Sequence, residues 1–504
     1  MENKNYYGNG GRLTKSANPK LVGTAFKHDS HDSPLLIDGL HIADLVHTIG
    51  LFDAGIIPKK EAVSLINGLL EISEKELTII PELGDVYNSK EFALKSTIGD
   101  TAGWLHLGRA RREAINNGFL ISYRQSVLKL QETIIRLCET FIKISGDNQT
   151  TLMTDFTYML HAQPTTLGHY LGTYLSPLLR DLERLRTYYE RLRISWAGIG
   201  SVNGSRLPID RELLSKLMAC EKPAGHLRDA MWMPDIFNEG MFILSNTLTN
   251  INRFVQELIV WNTKEFGYLE IDDSYARASV IMPQKKNPYP LSYLRGLCNE
   301  VLGKLTSFMI MSKEPSGFPD SRIFIYGDIL RYYSKVNEGL DMFSDFLHTL
   351  TWKKDKMHNS VIDSYSYATD LAEEICLSLR IDYKSVHKLV GKCIREHKLN
   401  KDKDLISNLE KLISENGIKI SEELRMKLIQ IIDIIDLPNS RKAVGGASNE
   451  SMNQWLKTAK EIVDNNKLQF NSFKLQFNSI EERINSHLKL INYEFPIFRT
   501  PIKA

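Results

Sequence analysis

Three stretches in the middle of the chain repeat apolar residues in alternating steps of three and four, and this pattern restricts the fold more than any other feature. The longest runs through Leu120, Tyr123, Val127, Leu130, Ile134, Leu137, Phe141 and Ile144, and no proline falls between Pro81 and Pro164. Residues three and four apart share one face of an α-helix, so the run predicts a single helix of bundle length. Met241, Leu244, Leu248, Ile251, Val255 and Leu258 repeat the pattern, as do Leu178, Leu182, Leu185, Tyr189 and Leu192 after a kink expected at Pro177. Helices this long need each other's apolar stripes. Strand-like alternation is scarce, which predicts an all-α protein: an N-terminal domain over 1–111, a central helical bundle over 112–363 and a C-terminal helical domain over 364–504. The stripes describe packing and carry no chemistry.

Charge narrows the class of function. Lys and Arg number 63 against 61 Asp and Glu, a net charge of +2 that provides no electrostatic footprint for nucleic acid or an acidic membrane. An anionic ligand must therefore meet a local basic pocket. The five cysteines are widely spaced and form no metal-binding cluster, so they read as buried thiols in a reducing compartment. The polar start of the chain lacks the pattern of a signal peptide, and no run of eighteen apolar residues occurs, which predicts a cytoplasmic protein. Charged stretches at Lys353–Lys356 and Lys401–Asp404 read as solvated, and Leu468–Ser479 is repetitive.

The segment Ser279-Val-Ile-Met-Pro-Gln-Lys-Lys-Asn-Pro288 follows an acidic pair, Asp272-Asp273, and precedes an amphipathic helix expected near Leu291. Two prolines restrict its backbone. Lys285 and Asn287 set a cation and an amide beside a helix start whose free N–H groups favour anions, so a carboxylate would sit there well. By composition alone it is equally a basic loop with a capping asparagine. The segment, Met282 included, resembles the signature loop of the fumarase/aspartase superfamily, and its Met-Pro-Gln-Lys-Lys-Asn-Pro core is most similar to argininosuccinate lyases. Leu207–Glu212, Glu257-Leu-Ile, Glu265-Phe-Gly, Ala368–Ala372, Leu389-Val-Gly391 and Val444-Gly-Gly446 resemble the same family in the same order, over about residues 20 to 495.

The resemblance implies a three-domain helical fold, a homotetramer with each active site built from three subunits, and release of fumarate from an N-substituted aspartate. It implies Ser279 as the base, with Lys285 and Asn287 stabilising the carbanion. In Gly103–Glu113 it implies His106, Arg109 and Arg111 as substrate-binding groups, where paired arginines suit succinyl carboxylates. Here Leu107 stands for the family's threonine, Arg112 for its asparagine and Glu113 for its aspartate. A basic helix start facing solvent is the plainer account. In Thr157–Gly168 the family's Thr157, Gln163 and Pro164 keep their places. Tyr158, however, replaces the histidine linked to protonating the departing nitrogen, and Ser292 falls where that histidine's glutamate belongs. A tyrosine can itself donate a proton; His161 is more simply structural.

The amine half of the substrate is read from departures. Phe318, Pro319, Ile323 and Tyr326 fall where argininosuccinate lyases read their substrate with polar groups, and Trp232-Met233-Pro234 replaces a Ser-Asp-Arg loop. Against that loss stand Arg112 and Arg322, which suggest an anionic leaving group. The Arg111-Arg112 pair and the missing histidine resemble the branch containing ethylenediamine-disuccinate lyase, which splits aminopolycarboxylates. Argininosuccinate remains the second reading, and a non-catalytic scaffold on a lyase fold the third. Neither a metal nor an organic cofactor is implied.

Overall fold

A computed structural model describes residues 15–318, 320–399, 404–415, 417–491 and 493–502. The longest apolar run becomes the helix Arg111–Asp147, and all eight of its stripe residues are buried. The second and third runs lie on Asp235–Trp261 and Leu167–Leu192, again with every stripe position buried; the latter helix continues through Pro177. With Tyr289–Met311 and Asp320–Thr349 they make the bundle, and Arg111–Asp147 is its axis: Leu167–Leu192, Asp320–Thr349 and Ser33–Asp53 all pack on it. Ser33–Asp53 is long and apolar enough to cross a membrane by composition, but 78% of its apolar window is buried inside the protein.

Two close approaches fix how that N-terminal helix docks. A Cβ on Gly39 would lie 2.0 Å from the carbonyl oxygen of Gly118, so the helices touch backbone to backbone there. The second is polar. A Cβ on Gly327 would lie 2.0 Å from the Asp32 carboxylate, which instead pairs with Arg331 at 2.6 Å and ties the N-terminal segment to the Asp320–Thr349 helix.

The residues of 364–504 divide between two cores. Val361, Leu371, Ile375, Val386, Leu409 and Leu428 belong to a small second core. The repetitive stretch lies in the helix Asn449–Asn478, which returns to the axial helix and buries Phe470, Phe473 and Phe477 in the main core. Its repeat is thus a helical stripe. Lys401 to Lys403 and Pro319 lie outside the described residues. Four of the cysteines are buried, Cys376 is partly exposed, and all are free thiols.

The scarcity of strand pattern conceals one element. Leu152–Thr157 and Leu160–Thr166 form an antiparallel hairpin, a β element in a region read as helical. Its two-residue turn is Tyr158-Met159, both left-handed at φ 55° and 60°. Such turns normally use Asn-Gly, because L-residues with a bulky Cβ are strained there at about 1–2 kcal/mol each.

Candidate active site

The motif around His106 divides its residues between interior and cavity. Arg109 is buried and donates to Asp44 at 2.6 Å, and Lys90 meets the other oxygen of the same carboxylate at 2.6 Å. Burial alone would raise the Asp44 carboxyl, but the Lys90 and Arg109 charges outweigh it and hold it at about 2. His106 bonds the Tyr87 hydroxyl at 3.0 Å and pairs with Glu91. Glu113 accepts from the backbone N–H groups of Gly198 and Gly200, each at 2.6 Å, and so shapes that loop. Of the three residues assigned to substrate by resemblance, Arg109 is turned inward and Arg111 faces out.

Arg111 and Arg112 open the axial helix and line a cavity with Asp29, Asp32, Asp85, Arg322, Ile323 and Tyr326. Arg111 pairs with Asp85 at 3.1 Å. Arg322 donates to the carbonyls of Met231 and Met233 at 3.0 and 2.9 Å and lies 4.7 Å over the Phe237 ring, while its buried Nη1 has no hydrogen-bond partner among the described residues. The Trp232-Met233-Pro234 loop and the Phe318–Tyr326 segment, two separate departures from the family, are thus joined by one guanidinium. Tyr326 reaches Asn116 and stacks on Phe119 at 4.1 Å. A second cavity is lined by His226, Arg228, Trp232, Met233 and Phe318.

Asp29 and Asp85 were not singled out by sequence reasoning. The available signal was the polar cluster Lys27-His28-Asp29-Ser30-His31-Asp32 set against the apolar Ser33–Asp53 helix. Burial, reinforced by the nearby charge of Asp85, pushes the Asp29 carboxyl up to about 6 against the pull of Arg112, His28 and Arg111.

The signature loop stands on a short ribbon, Arg277–Ala278 against Lys286–Asn287. The Asn287 side-chain amide donates to the Arg277 carbonyl at 2.8 Å, and Lys286 pairs with Asp273 at 2.6 Å, so both clamp the base of the loop. Within it Ser279 Oγ accepts the N–H of Met282 at 3.1 Å, and the Lys285 N–H returns to the Met282 carbonyl at 3.0 Å. The following helix starts at Tyr289, two residues before its expected start. Lys285 is exposed, and Val280 and Ile281 stand fully out in solvent. At the hairpin, Thr157 and Gln163 are exposed and Tyr158 projects with 99% of its surface free; His161 is exposed on the return strand. Neither Ser279 nor Tyr158 lines the arginine cavity of its own chain.

With this geometry in view, comparison with known proteins is decisive. A family model described as lyase matches residues 40–303, more than half of the chain. The argininosuccinate lyase of Thermoanaerobacter sp. (strain X514) is 30% identical over 391 residues, 76% of this chain and 87% of the relative. The chain belongs to the argininosuccinate lyase family. The argininosuccinate lyase of Methanocaldococcus jannaschii is 29% identical over 84% of this chain and 88% of its own. In fold this lyase is similar to an EDDS lyase solved in complex with formate, with a TM-score of 0.83 and 23% identity over 95% of this chain and 96% of that one. A class II fumarase from Schistosoma mansoni shares the architecture at a TM-score of 0.68 and 15% identity, over 83% of this chain and 94% of that one. The all-α fold of the fumarase/aspartase superfamily is thereby established for this lyase.

Proposed function

We propose that this lyase eliminates fumarate from an N-substituted aspartate by breaking the bond between nitrogen and the succinyl α-carbon, with Ser279 as the base. The observation that carries the reading is the hydrogen bond from the Met282 N–H to Ser279 Oγ. A donor aimed at a hydroxyl oxygen favours the alkoxide, which is what a serine needs in order to remove a weakly acidic carbon-bound proton. The carbanion formed spreads its charge into the adjacent carboxylate, and the Lys285 ammonium, with the N–H groups of the loop, provides positive charge where that negative charge develops. Asn287 serves by holding the ribbon on which both stand.

The reading includes a homotetramer. Tyr158, Leu160, Val280 and Ile281 are large apolar side chains at projecting tips that their own chain leaves uncovered, as expected when three copies bring the hairpin, the signature loop and the arginine cavity together. Arg111 and Thr157 then bind the succinyl carboxylates with Gln163 alongside; His106 and Arg109 position the Arg111 turn from within.

For the amine half, Arg112 and Arg322 support an aminopolycarboxylate such as a disuccinyl-diamine. The second reading is argininosuccinate, which the names of the sequence relatives favour. The test follows fumarate by its ultraviolet absorbance with each substrate and with Ser279→Ala. Serine-dependent turnover of the disuccinyl-diamine alone supports the first reading and turnover of argininosuccinate the second. Folded tetramer that turns over neither, in either direction, leaves a scaffold on a lyase fold.

A further inference from the structure

A lyase that lacks both members of the family's proton-donating pair still has to protonate an amine as it leaves. Tyr158 is at the hairpin tip and Ser292 is an exposed residue of the helix behind the signature loop, and among the described residues of one chain the two form no hydrogen-bonded pair. The cavity of Arg111 and Arg112 contains an alternative. Its walls come from three segments: Asp29 and Asp32 before the N-terminal helix, Arg111, Arg112 and Ile115 at the start of the axial helix, and Arg322, Ile323 and Tyr326 on the Asp320–Thr349 helix. On the reading above, Arg111 binds a succinyl carboxylate, and Arg112, Arg322, Ile323 and Tyr326 face the amine half. Asp29 lines the same cavity as both sets.

We propose, resting on the lyase reading above, that Asp29 is the general acid of this enzyme and delivers the proton to the departing nitrogen. Its segment is anchored for the task. Asp32, one helical turn on, is tied to Arg331 at 2.6 Å against Gly327, and the His28 ring packs on Phe324 at 4.7 Å. Of the other carboxylates in the cavity, Asp85 is paired with Arg111 and Asp32 with Arg331. The groups facing Asp29 are Asp85, Arg112, His28 and Arg111, with Arg322 and Tyr326 lining the same cavity. Burial and Asp85 hold the carboxyl near 6, so a useful fraction keeps its proton close to neutrality.

The step balances. The Ser279 alkoxide takes the β-proton, the freed electron pair becomes the new carbon–carbon double bond, and the carbon–nitrogen bond breaks with its pair on nitrogen. The Asp29 carboxyl proton then goes to that nitrogen. Fumarate, a neutral amine, a serine hydroxyl and an aspartate carboxylate result, and solvent returns one proton to Asp29 and removes one from Ser279.

A general acid matters in proportion to how poorly the nitrogen leaves. The experiment compares the wild-type tetramer with Asp29→Asn, Asp29→Glu and Tyr158→Phe. The alkyl-amine substrate is N,N'-disuccinyl-ethylenediamine, whose nitrogen leaves poorly; the other is N-phenylaspartate, whose less basic aniline leaves more readily. Asp29→Asn is expected to lower kcat on the alkyl-amine substrate by about 10²-fold or more and on N-phenylaspartate only a few-fold, and to abolish the fall of kcat with rising pH, while Asp29→Glu recovers part of the rate. Equal losses on both substrates with an unchanged pH profile would overturn the proposal, as would leaving-group dependence that appears in Tyr158→Phe instead. Should Asp29→Asn not assemble, a flat pH profile and undiminished alkyl-amine turnover in Asp29→Glu would overturn it as well. Absence of wild-type turnover on any substrate would sink the lyase reading itself, an outcome distinct from turnover that ignores Asp29.

Discussion

Within a few residues of sequence, the Leu105–Glu113 segment supplies two kinds of charge, and their contrast with the signature loop is instructive. Arg109, Asp44 and Lys90 are buried and paired with one another, and Lys90 and Arg109 also donate to the carbonyls of Leu40 and Ala43. Ser279 to Lys285 bonds almost solely to itself and presents Val280 and Ile281 to solvent. The first region is complete within one chain, and its residues must be explained by stability. The second leaves apolar side chains uncovered, and on the proposed reading a substrate and other copies of the chain cover them. A motif residue is therefore not a substrate contact merely by belonging to the motif.

If the contrast is right, substitutions in the two regions separate activity from stability. Ser279→Ala should lower kcat by at least about 10³-fold with no change in the unfolding midpoint, since Ser279 bonds only within its loop. A parallel loss of stability would break the comparison. Asp44→Asn leaves Lys90 and Arg109 buried with an inadequate partner and should cost about 3–5 kcal/mol in urea unfolding. Gly118→Ala, which forces a Cβ to within 2.8 Å of the Leu40 backbone nitrogen, should cost about 1–3 kcal/mol by the same measurement and sharpens the point that backbone contact docks the N-terminal helix.

The buried cluster also predicts a pH dependence. Burial holds His41 down at about 2, with Lys90 adding to the effect, and burial together with Arg109 holds His47 well below its usual value. The unfolded histidines take up protons as pH falls through about 6.5 and the folded ones do not, so folding stability is full above that pH and declines below it, by about 1 kcal/mol per histidine between roughly pH 7.5 and 5.5. A flat urea midpoint over that range would show that the cluster is hydrated. The smallest effect is expected outside: Val280→Ser with Ile281→Ser should leave chain unfolding unchanged to measurement, while weakening assembly as followed by sedimentation.

Much of the fold was legible because burial of an apolar stripe is a one-dimensional signal. Each stripe position from Leu120 to Ile144 is buried, and the repeated phenylalanines at 470, 473 and 477 follow the same rule. The hairpin was not legible: its turn is Tyr-Met rather than Asn-Gly, and its strands read T-D-F-T and L-H-A-Q with no clean alternation. Asp29 was hidden for another reason, since a carboxyl's proton affinity depends on neighbours such as Asp85 and Arg112 that are remote in sequence.

By itself, then, the sequence determined the helix bundle, the family and the chemical types at hand: a serine, a lysine and an asparagine in one rigid loop, and a pair of arginines at a helix start. Those follow from periodicity and local spacing, which the chain carries along its length. Only the tertiary structure decided that Arg109 turns inward to Asp44 while Arg111 and Arg112 turn outward, that Arg322 joins two distant loops, and that Asp29 shares their cavity. Orientation and electrostatic environment are set by what packs alongside, and the partners there lie from 26 positions apart, as Arg111 and Asp85, to 299, as Arg331 and Asp32.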